Sequence, residues 1–519
     1  MSAEPASDSP VTASSRPKPI AELQLSTRRR RGVVLAVMTA SFLSAMEATV
    51  VSTAMPTVIS SLGGIDRYSW VFSAYILTST VTLPLWGRFS DQFGRRRLIL
   101  LAIVVFLVGS TAAGLARSID WLIAARAFQG LGAGGLMPLG MAVIGDLYTP
   151  SQRARMQALF SSVWGIASLV GPLAGGLLTD HLSWRWVFFI NLPIGLVAGL
   201  LIYAALVDRA RHERPVIDWL GAGTLAAGAS LLLLAMTELA SRGLGGGLLG
   251  PALLIAAVLV TLWFVRTEAR ARSPLVPLGL LAMPTMRWPL IAAGLAGMAM
   301  FGAISFIPMF VQGVLGSTAT GAGMALSPFI FAWVATSVLT GRLIATVPVR
   351  RLCLCGFSLV VAGFVFLLRV GPRTPRSFLL ADMTLMGAGM GLSMLCLLIV
   401  IQTVSPREYL GLSTSLNIFF RSLGGAIGVA LLGALLTAGL RRDLAGSGID
   451  FDDANALLDP VLRETLSPSE LASMGEALSS GLHALFVGAC VVSVLALLAA
   501  TRLPDQNLQE LEAAHPRAA

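Results

Sequence analysis

The chain has 519 residues, of which 55% are hydrophobic and only 12% charged, and its mean hydropathy is +0.79. Soluble domains carry about 25% charged residues, so a large soluble fold is excluded and an all-α polytopic membrane protein is expected. The net charge of +10 does not mark a nucleic-acid binder, because the arginines fall in short loops between apolar runs, the positive-inside pattern of a multi-span protein.

Residues 1–31 are polar, rich in Ser and Pro, and close on Arg28, Arg29, Arg30 and Arg31. They lack the apolar core of a signal peptide, and a disordered cytoplasmic tail is expected. Apolar runs long enough to span a bilayer as helices follow at about 33–57, 69–86, 97–116, 121–146, 156–179, 186–206, 217–237, 248–268, 288–312, 320–345, 350–370, 377–403, 411–440 and 481–501. That is fourteen transmembrane helices. Both termini are expected in the cytoplasm and the protein in the inner membrane, because Arg95–Arg97, Arg153, Arg155, Arg209, Arg211, Arg214, Arg350 and Arg351 then all lie inside. The last outer loop, 441–480, is long and acidic. It is either a docking element for a periplasmic partner or a solvated spacer, and the spacer is favoured.

An internal repeat relates GRFSDQFGRRRL from Gly87 to GRLIATVPVRRL from Gly341. Gly87, Arg88, Arg96, Arg97 and Leu98 match Gly341, Arg342, Arg350, Arg351 and Leu352, while Ala345 stands where Asp91 would be. The repeat divides the chain into a six-helix bundle over 32–210, a two-helix insert over 211–270, a second six-helix bundle over 271–502 and a tail over 503–519. Two such halves place a site at their interface, near the membrane midplane.

Glu47 lies inside the first apolar run. A carboxylate at mid-helix costs on the order of 3 kcal/mol to insert, so it has to face a cavity or hold its proton. Proton coupling needs that chemistry, and the bland alternative is a permanently paired structural acid. Arg126 in the fourth run needs a partner: either an acid near Glu47 or exposed backbone carbonyls. Asp382 in the twelfth run is the second acid, either titrating or placed cheaply near the outer face. In the loop that starts at Gly87, glycine allows a tight turn, and Asp91 can cap a helix start or accept from arginines across the interface between halves. Cys353, Cys355, Cys396 and Cys490 sit in apolar runs without metal-ligand spacing, so they are packing residues. No metal site, cofactor, nucleotide loop or enzyme activity is expected.

These segments resemble the major facilitator superfamily, and within it the fourteen-span drug:proton antiporter branch. GRFSDQFGRRR is similar to the superfamily's signature loop, which implies a gate built from Gly87, Asp91, Gly94, Arg95 and Arg96. MEATVVSTAMPTV resembles the branch's first-span motif, with Glu47 for the usual aspartate and Ser52 for the usual asparagine. RAFQGLGAGGLMPLG carries Arg126, which the resemblance ties to proton transfer. GPLAGG resembles the antiporter motif, here Gly171, Pro172, Gly175 and Gly176, with Pro172 bending the helix; SWRWVFFINLPIG after it also resembles the branch. Trp184, Trp186 and Phe188 in that stretch are expected at the membrane interface. The thirteenth span, GLSTSLNIFFRSLGGAIGVALLGALL, matches too and contributes Asn417 and Arg421.

The resemblance implies a major facilitator fold of two six-helix halves plus two inserted helices. It further implies a proton-coupled antiporter for multidrug efflux, driven by the proton gradient and active in antibiotic resistance. Its substrates are lipophilic, often cationic or amphiphilic small molecules. Proton coupling then falls to Glu47, Arg126 and Asp382, and the substrate cavity to Met46, Trp164, Phe301, Phe306, Gln312, Asn417 and Arg421. The rival readings are an exporter dedicated to one endogenous compound and a non-transporting scaffold or sensor.

Overall fold

A computed structural model of the chain describes residues 27–62, 68–207, 218–242, 247–271, 274–315, 317, 319–371, 374–444 and 468–514. Every regular element among them is helical. The long helices are α1 (Thr27–Leu62), α2 (Tyr68–Phe93), α3 (Arg95–Gly114), α4 (Ile119–Leu147), α5 (Pro150–His181), α6 (Asn191–Ala205), α7 (Trp219–Arg242) and α8 (Leu249–Glu268). The chain continues through α9 (Pro284–Met309), α10 (Ala319–Leu343), α11 (Val349–Leu367), α12 (Arg376–Val404), α13 (Leu410–Leu444) and α14 (Pro468–Ala500). Each coincides with one of the expected apolar runs. Among the described residues, ten segments are long and apolar enough to cross a membrane.

In the first bundle α4 packs against both α2 and α3, and α1 lies on α5 and α6. In the second, α9 packs on α13, and α12 lies between α10 and α11. The bundles meet along α2 with α13 and along α5 with α10. The insert, α7 and α8, is a pair whose α7 rests on α13 and α2, with the Phe89 and Trp219 rings 6.2 Å apart. In lipid there is no water to expel from between apolar helices, so close backbone approach carries the packing. The glycines of α4 supply it. A Cβ on Gly130 would fall 2.5 Å from the Tyr75 carbonyl, and one on Gly134 2.5 Å from that of Ser79, both on α2.

The structure corrects three expectations and adds a helix to the C-terminal tail. Helix α1 begins at Thr27, so the four arginines are helical rather than part of a disordered tail. Arg30 donates to the Leu147 carbonyl at 3.1 Å and Arg29 to that of Ala205 at 3.2 Å. The negative C-terminal ends of α4 and α6 draw those cations and extend the helix. Residues 1–26 lie outside the described residues. The 441–480 loop is shorter than expected: α13 runs on to Leu444 and α14 starts at Pro468, placing Asp443, Glu470 and Glu476 in helices. Its remaining acids, Asp450, Asp452, Asp453, Asp459 and Glu464, lie outside the described residues. The C-terminal tail is folded through Ala514. It ends in a helix, Leu508–Ala514, with Leu503, Leu508 and Leu511 buried, and it docks on the α10–α11 turn through Leu508 N to Ile344 O (3.1 Å) and Arg350 Nε to Leu503 O (2.7 Å). Finally, Trp184 and Phe188 are buried, whereas Trp186 is exposed as an interfacial anchor should be. The short helix Trp186–Phe189 turns the first two rings inward, onto α1 and α4 residues.

Candidate functional site: a buried ion pair and a latch between the halves

Glu47 and Arg126 are both buried, and the helices that carry them bring them together. Nη1 of Arg126 donates to Oε1 of Glu47 and, at 2.8 Å, to Oε1 of Gln129. Arg126 Nε reaches the Val71 carbonyl at 3.3 Å, and the guanidinium lies 4.2 Å over the Tyr75 ring. The second carboxylate oxygen of Glu47 accepts from Asn191 Nδ2 at 2.5 Å. Asn191 also donates to Ser110 Oγ at 2.9 Å, and Ser110 donates to the Phe188 carbonyl at 2.8 Å. The acid of α1 is therefore held by α4 and α6, braced by α2 and α3, inside the first bundle. Both sequence alternatives for Arg126 are realised at once, an acid and a carbonyl. Protonating Glu47 would remove the anion of this pair and leave Arg126 with Gln129 and the Val71 carbonyl, so the charge of the site is tied to one proton. Asn191 was missed as a functional residue. Its signal was an amide inside the sixth apolar run, in a stretch quoted above for its resemblance and its aromatic residues.

At the arginine-rich end of the molecule the Gly87 loop acts across the two halves. Asp91 accepts from Gly411 N (3.0 Å) and Leu412 N (2.9 Å), the free backbone donors at the start of α13. A carboxylate there meets the positive end of the helix dipole. Arg95 pairs with Asp91 at 2.6 Å and with Asp146 at 3.0 Å, and it donates to Ser90 as well. Arg95 binds Asp91 within its own half, while the helix start is what it holds in the other. Gly87 and Gly411 make the approach possible. A Cβ on Gly411 would lie 2.1 Å from the Arg95 guanidinium, 2.7 Å from Asp91 and 2.8 Å from the Gly87 carbonyl. Gly94 takes φ 99°, a conformation open to glycine, and turns α2 into α3. Arg96 stacks on Tyr203 at 4.2 Å and points away from the interface.

A second tie, unforeseen in the sequence, lies beside the first. Arg153 is buried and donates to the Gly145 carbonyl at 2.6 Å, the Tyr148 carbonyl at 3.4 Å and the Gln402 carbonyl at 3.2 Å. Its cation thus joins the C-terminal ends of α4 and α12, the fourth helix of each half. Carboxylate and guanidinium hold opposite ends of the α12–α13 turn, each against the helix dipole end of the opposite sign. Arg153 and Arg155 both follow the Thr149–Pro150 helix start, and nothing in the sequence told them apart.

The other expected residues separate. Asp382 is 3% exposed, two turns inside α12, and both carboxylate oxygens are without a hydrogen-bond partner. It sits against α11, where a Cβ on Gly363 would be 3.2 Å from its Oδ1. The acid lies six residues from the start of α12 and belongs to the second bundle rather than to the Glu47 network. Met46 is packed in the first-bundle core, 1% exposed, and lines no open cavity, because α1 turns that face onto its neighbours. Phe301 and Phe306 lie on the α9–α13 seam, against Gly425 and Gly433. Asn417 and Arg421 share one face of α13. Helix α5 is continuous through Gly171, Pro172, Gly175 and Gly176; a side chain at Gly176 would meet nothing within 4 Å. The side chains of Trp164, Pro172 and Gln312 lie outside the described residues. Among the described residues no group of three His, Cys, Asp or Glu side chains could hold a metal ion.

Several comparisons bear on this arrangement. Residues 37–429 match the family model described as Major Facilitator Superfamily. The multidrug transporter protein MdtP of Bacillus subtilis is 34% identical over 418 residues, which cover 79% of this chain and 76% of that protein. Multidrug resistance protein 3 of the same organism is 31% identical over 479 residues, 89% of this chain and 93% of the relative. The crystal structure of the human organic anion transporter MFSD10 superimposes with a TM-score of 0.63 at 15% identity, covering 91% of this chain and 99% of the other, a likeness of fold alone. With its two linked helical bundles and the buried polar groups inside them, the chain is a polytopic membrane transporter, not an enzyme, and it belongs to the major facilitator superfamily.

Proposed function

We propose that the protein is a proton-coupled antiporter that exports lipophilic or amphiphilic small molecules by alternating access, with fourteen spans and both termini in the cytoplasm. The observation that supports this reading is the Glu47–Arg126–Asn191 network: a buried carboxylate of α1 whose hydrogen-bond partners, among the described residues, belong to the first bundle. A proton arriving from outside neutralises Glu47. Arg126 then loses its anion and keeps Gln129 and the Val71 carbonyl. Release of that proton inside restores the pair. The membrane potential adds about 2.3 kcal/mol per charge per 100 mV, so one proton per cycle sustains a substantial substrate gradient.

In this reading the arginine-rich end is cytoplasmic and the latch closes it. Asp91 and Arg153 let go of α13 and α12 when the inside opens, yet each retains partners in its own half: Arg95 for Asp91, the Gly145 and Tyr148 carbonyls for Arg153. Neither charge is orphaned, which keeps the two states close in free energy. Asp382 is a second candidate acid in the other half. Export of small molecules is supported by the names of the Bacillus relatives. The test is loading of a fluorescent lipophilic compound into inverted membrane vesicles under an imposed pH gradient. Accumulation that a protonophore abolishes and that Glu47→Gln lacks is expected. Accumulation indifferent to the gradient overturns the coupling.

A further inference from the structure

Arg421 is a partly buried cation on α13 with no counter-ion among the described residues. It lies eleven residues into α13, roughly 16 Å from the start of that helix at 1.5 Å per residue. Among the described residues its guanidinium makes no hydrogen bond, ion pair or ring contact, and its Nε is buried without a partner. Four residues earlier, Asn417 is 4% exposed and its Nδ2 is likewise unpartnered. The spacing puts both side chains on one face of the helix. Thr414, on that same face, accepts from Gln402 of α12 at 3.1 Å, so the stripe turns toward α12. On its other flank the Arg421 backbone is pressed against α9, where a Cβ on Gly297 would come 2.1 Å from the Arg421 carbonyl.

Buried polar groups in native proteins are nearly always satisfied, and an ionised one at membrane depth more strictly still. A guanidinium offers donors only, and the unmet atom of Asn417 is a donor too. The two together lack an acceptor. In the first bundle the opposite holds: Glu47 is already met by Arg126 and Asn191. The attraction of the Glu47 carboxylate for cations is therefore spent within the protein. The unmatched acid of the second bundle, Asp382, lies against Gly363 of α11, twenty positions along α12 from Gln402, and the unmatched charge on α13 is positive. We propose that Asn417 and Arg421 form a subsite for the anionic head group of an amphiphilic substrate, a carboxylate, sulfonate or phosphate, whose apolar body lies along the α9–α13 seam.

This inference rests on the transport reading above for the word substrate, but its test is a binding test. Three fluorescent probes share one apolar body and differ in charge: dansylglycine (anionic), dansylamide (neutral) and dansylcadaverine (cationic). Each is titrated against the purified full-length protein in nonionic detergent. The expected order places dansylglycine on the order of tenfold tighter than dansylcadaverine, the size of one charge-assisted hydrogen bond. Arg421→Met keeps an unbranched apolar stem without the charge and should erase that preference, weakening dansylglycine about tenfold and leaving dansylcadaverine unchanged or tighter. Asn417→Leu, a milder change, should weaken dansylglycine alone, by roughly threefold, and it carries the test if Arg421→Met does not fold. Competition by added phosphatidylglycerol that vanishes in either variant assigns the same site to a lipid phosphate as well. Tighter binding of the cationic probe to the unmodified protein, no binding of dansylglycine, or a preference untouched by both variants overturns the proposal. Proton-driven accumulation measured beside it separates the two readings. A charge preference without transport leaves the subsite standing and sinks the antiporter, and transport with no Arg421-dependent preference does the reverse.

Discussion

Removing one member of the Glu47–Arg126 pair leaves the other charged in an apolar site. Arg126→Met strands the carboxylate with Asn191 as its remaining partner, and Glu47→Gln strands the guanidinium with Gln129 and the Val71 carbonyl. Each single change should cost about 3–5 kcal/mol of stability, most of it the penalty of an uncompensated buried charge. The double variant removes both charges and fills much the same space, so its cost should stay near that of one single change rather than their sum. Non-additivity of about 3–5 kcal/mol, the cost of one single change, is expected for two charges in direct contact. Equilibrium unfolding of the four purified proteins in mixed micelles measures it, with proton-driven uptake into proteoliposomes beside it. Uptake should be lost in all three variants, including the double variant that regains stability. Effects that add within about 0.5 kcal/mol would refute the pairing, and proton-driven uptake by Glu47→Gln would refute the coupling.

Three further outcomes concern the latch. Asp91→Asn loses the ion pair with Arg95 and weakens the hold on Gly411 and Leu412; charge-assisted hydrogen bonds are worth about 1.5–3 kcal/mol each, so the open fraction at that end should rise at least about tenfold, read by pulsed electron spin distances between labels on α2 and α13. Substrate affinity should change little while the transport rate falls; a large affinity loss at an unchanged rate contradicts gating. Arg153→Met should open the same end by a similar factor without touching Glu47, and unchanged label distances between α5 and α12 would reduce Arg153 to a cap on α4. Gly411→Ala puts a methyl within 2.1 Å of Arg95 and 2.8 Å of the Gly87 carbonyl, so the closed end should become unreachable, and a protein that still closes would show that α2 and α13 can part locally.

The fold was largely legible in the sequence because its determinants are local. Twenty apolar residues in a row must be helical to satisfy their backbone in lipid, and arginine placement orders the spans. The repeat from Gly87 to Gly341 is what raised the expectation of two halves. Glu47 and Arg126 were legible for the same reason, since a charge in an apolar run stands out wherever its partner lies. What it is paired with was not. Asn191 is 144 positions from Glu47, and Gln402 is 249 from Arg153. Only the packing of α1 on α4 and α6, and of the first half on the second, turns those separations into hydrogen bonds. The same holds for Asn417 and Arg421. The sequence put two polar residues a turn apart on α13, and the tertiary structure decided that no acid reaches them. Whether a membrane-buried charge is spent inside the protein or left for a ligand depends on neighbours from other helices, and helix packing, not local sequence, chooses those neighbours.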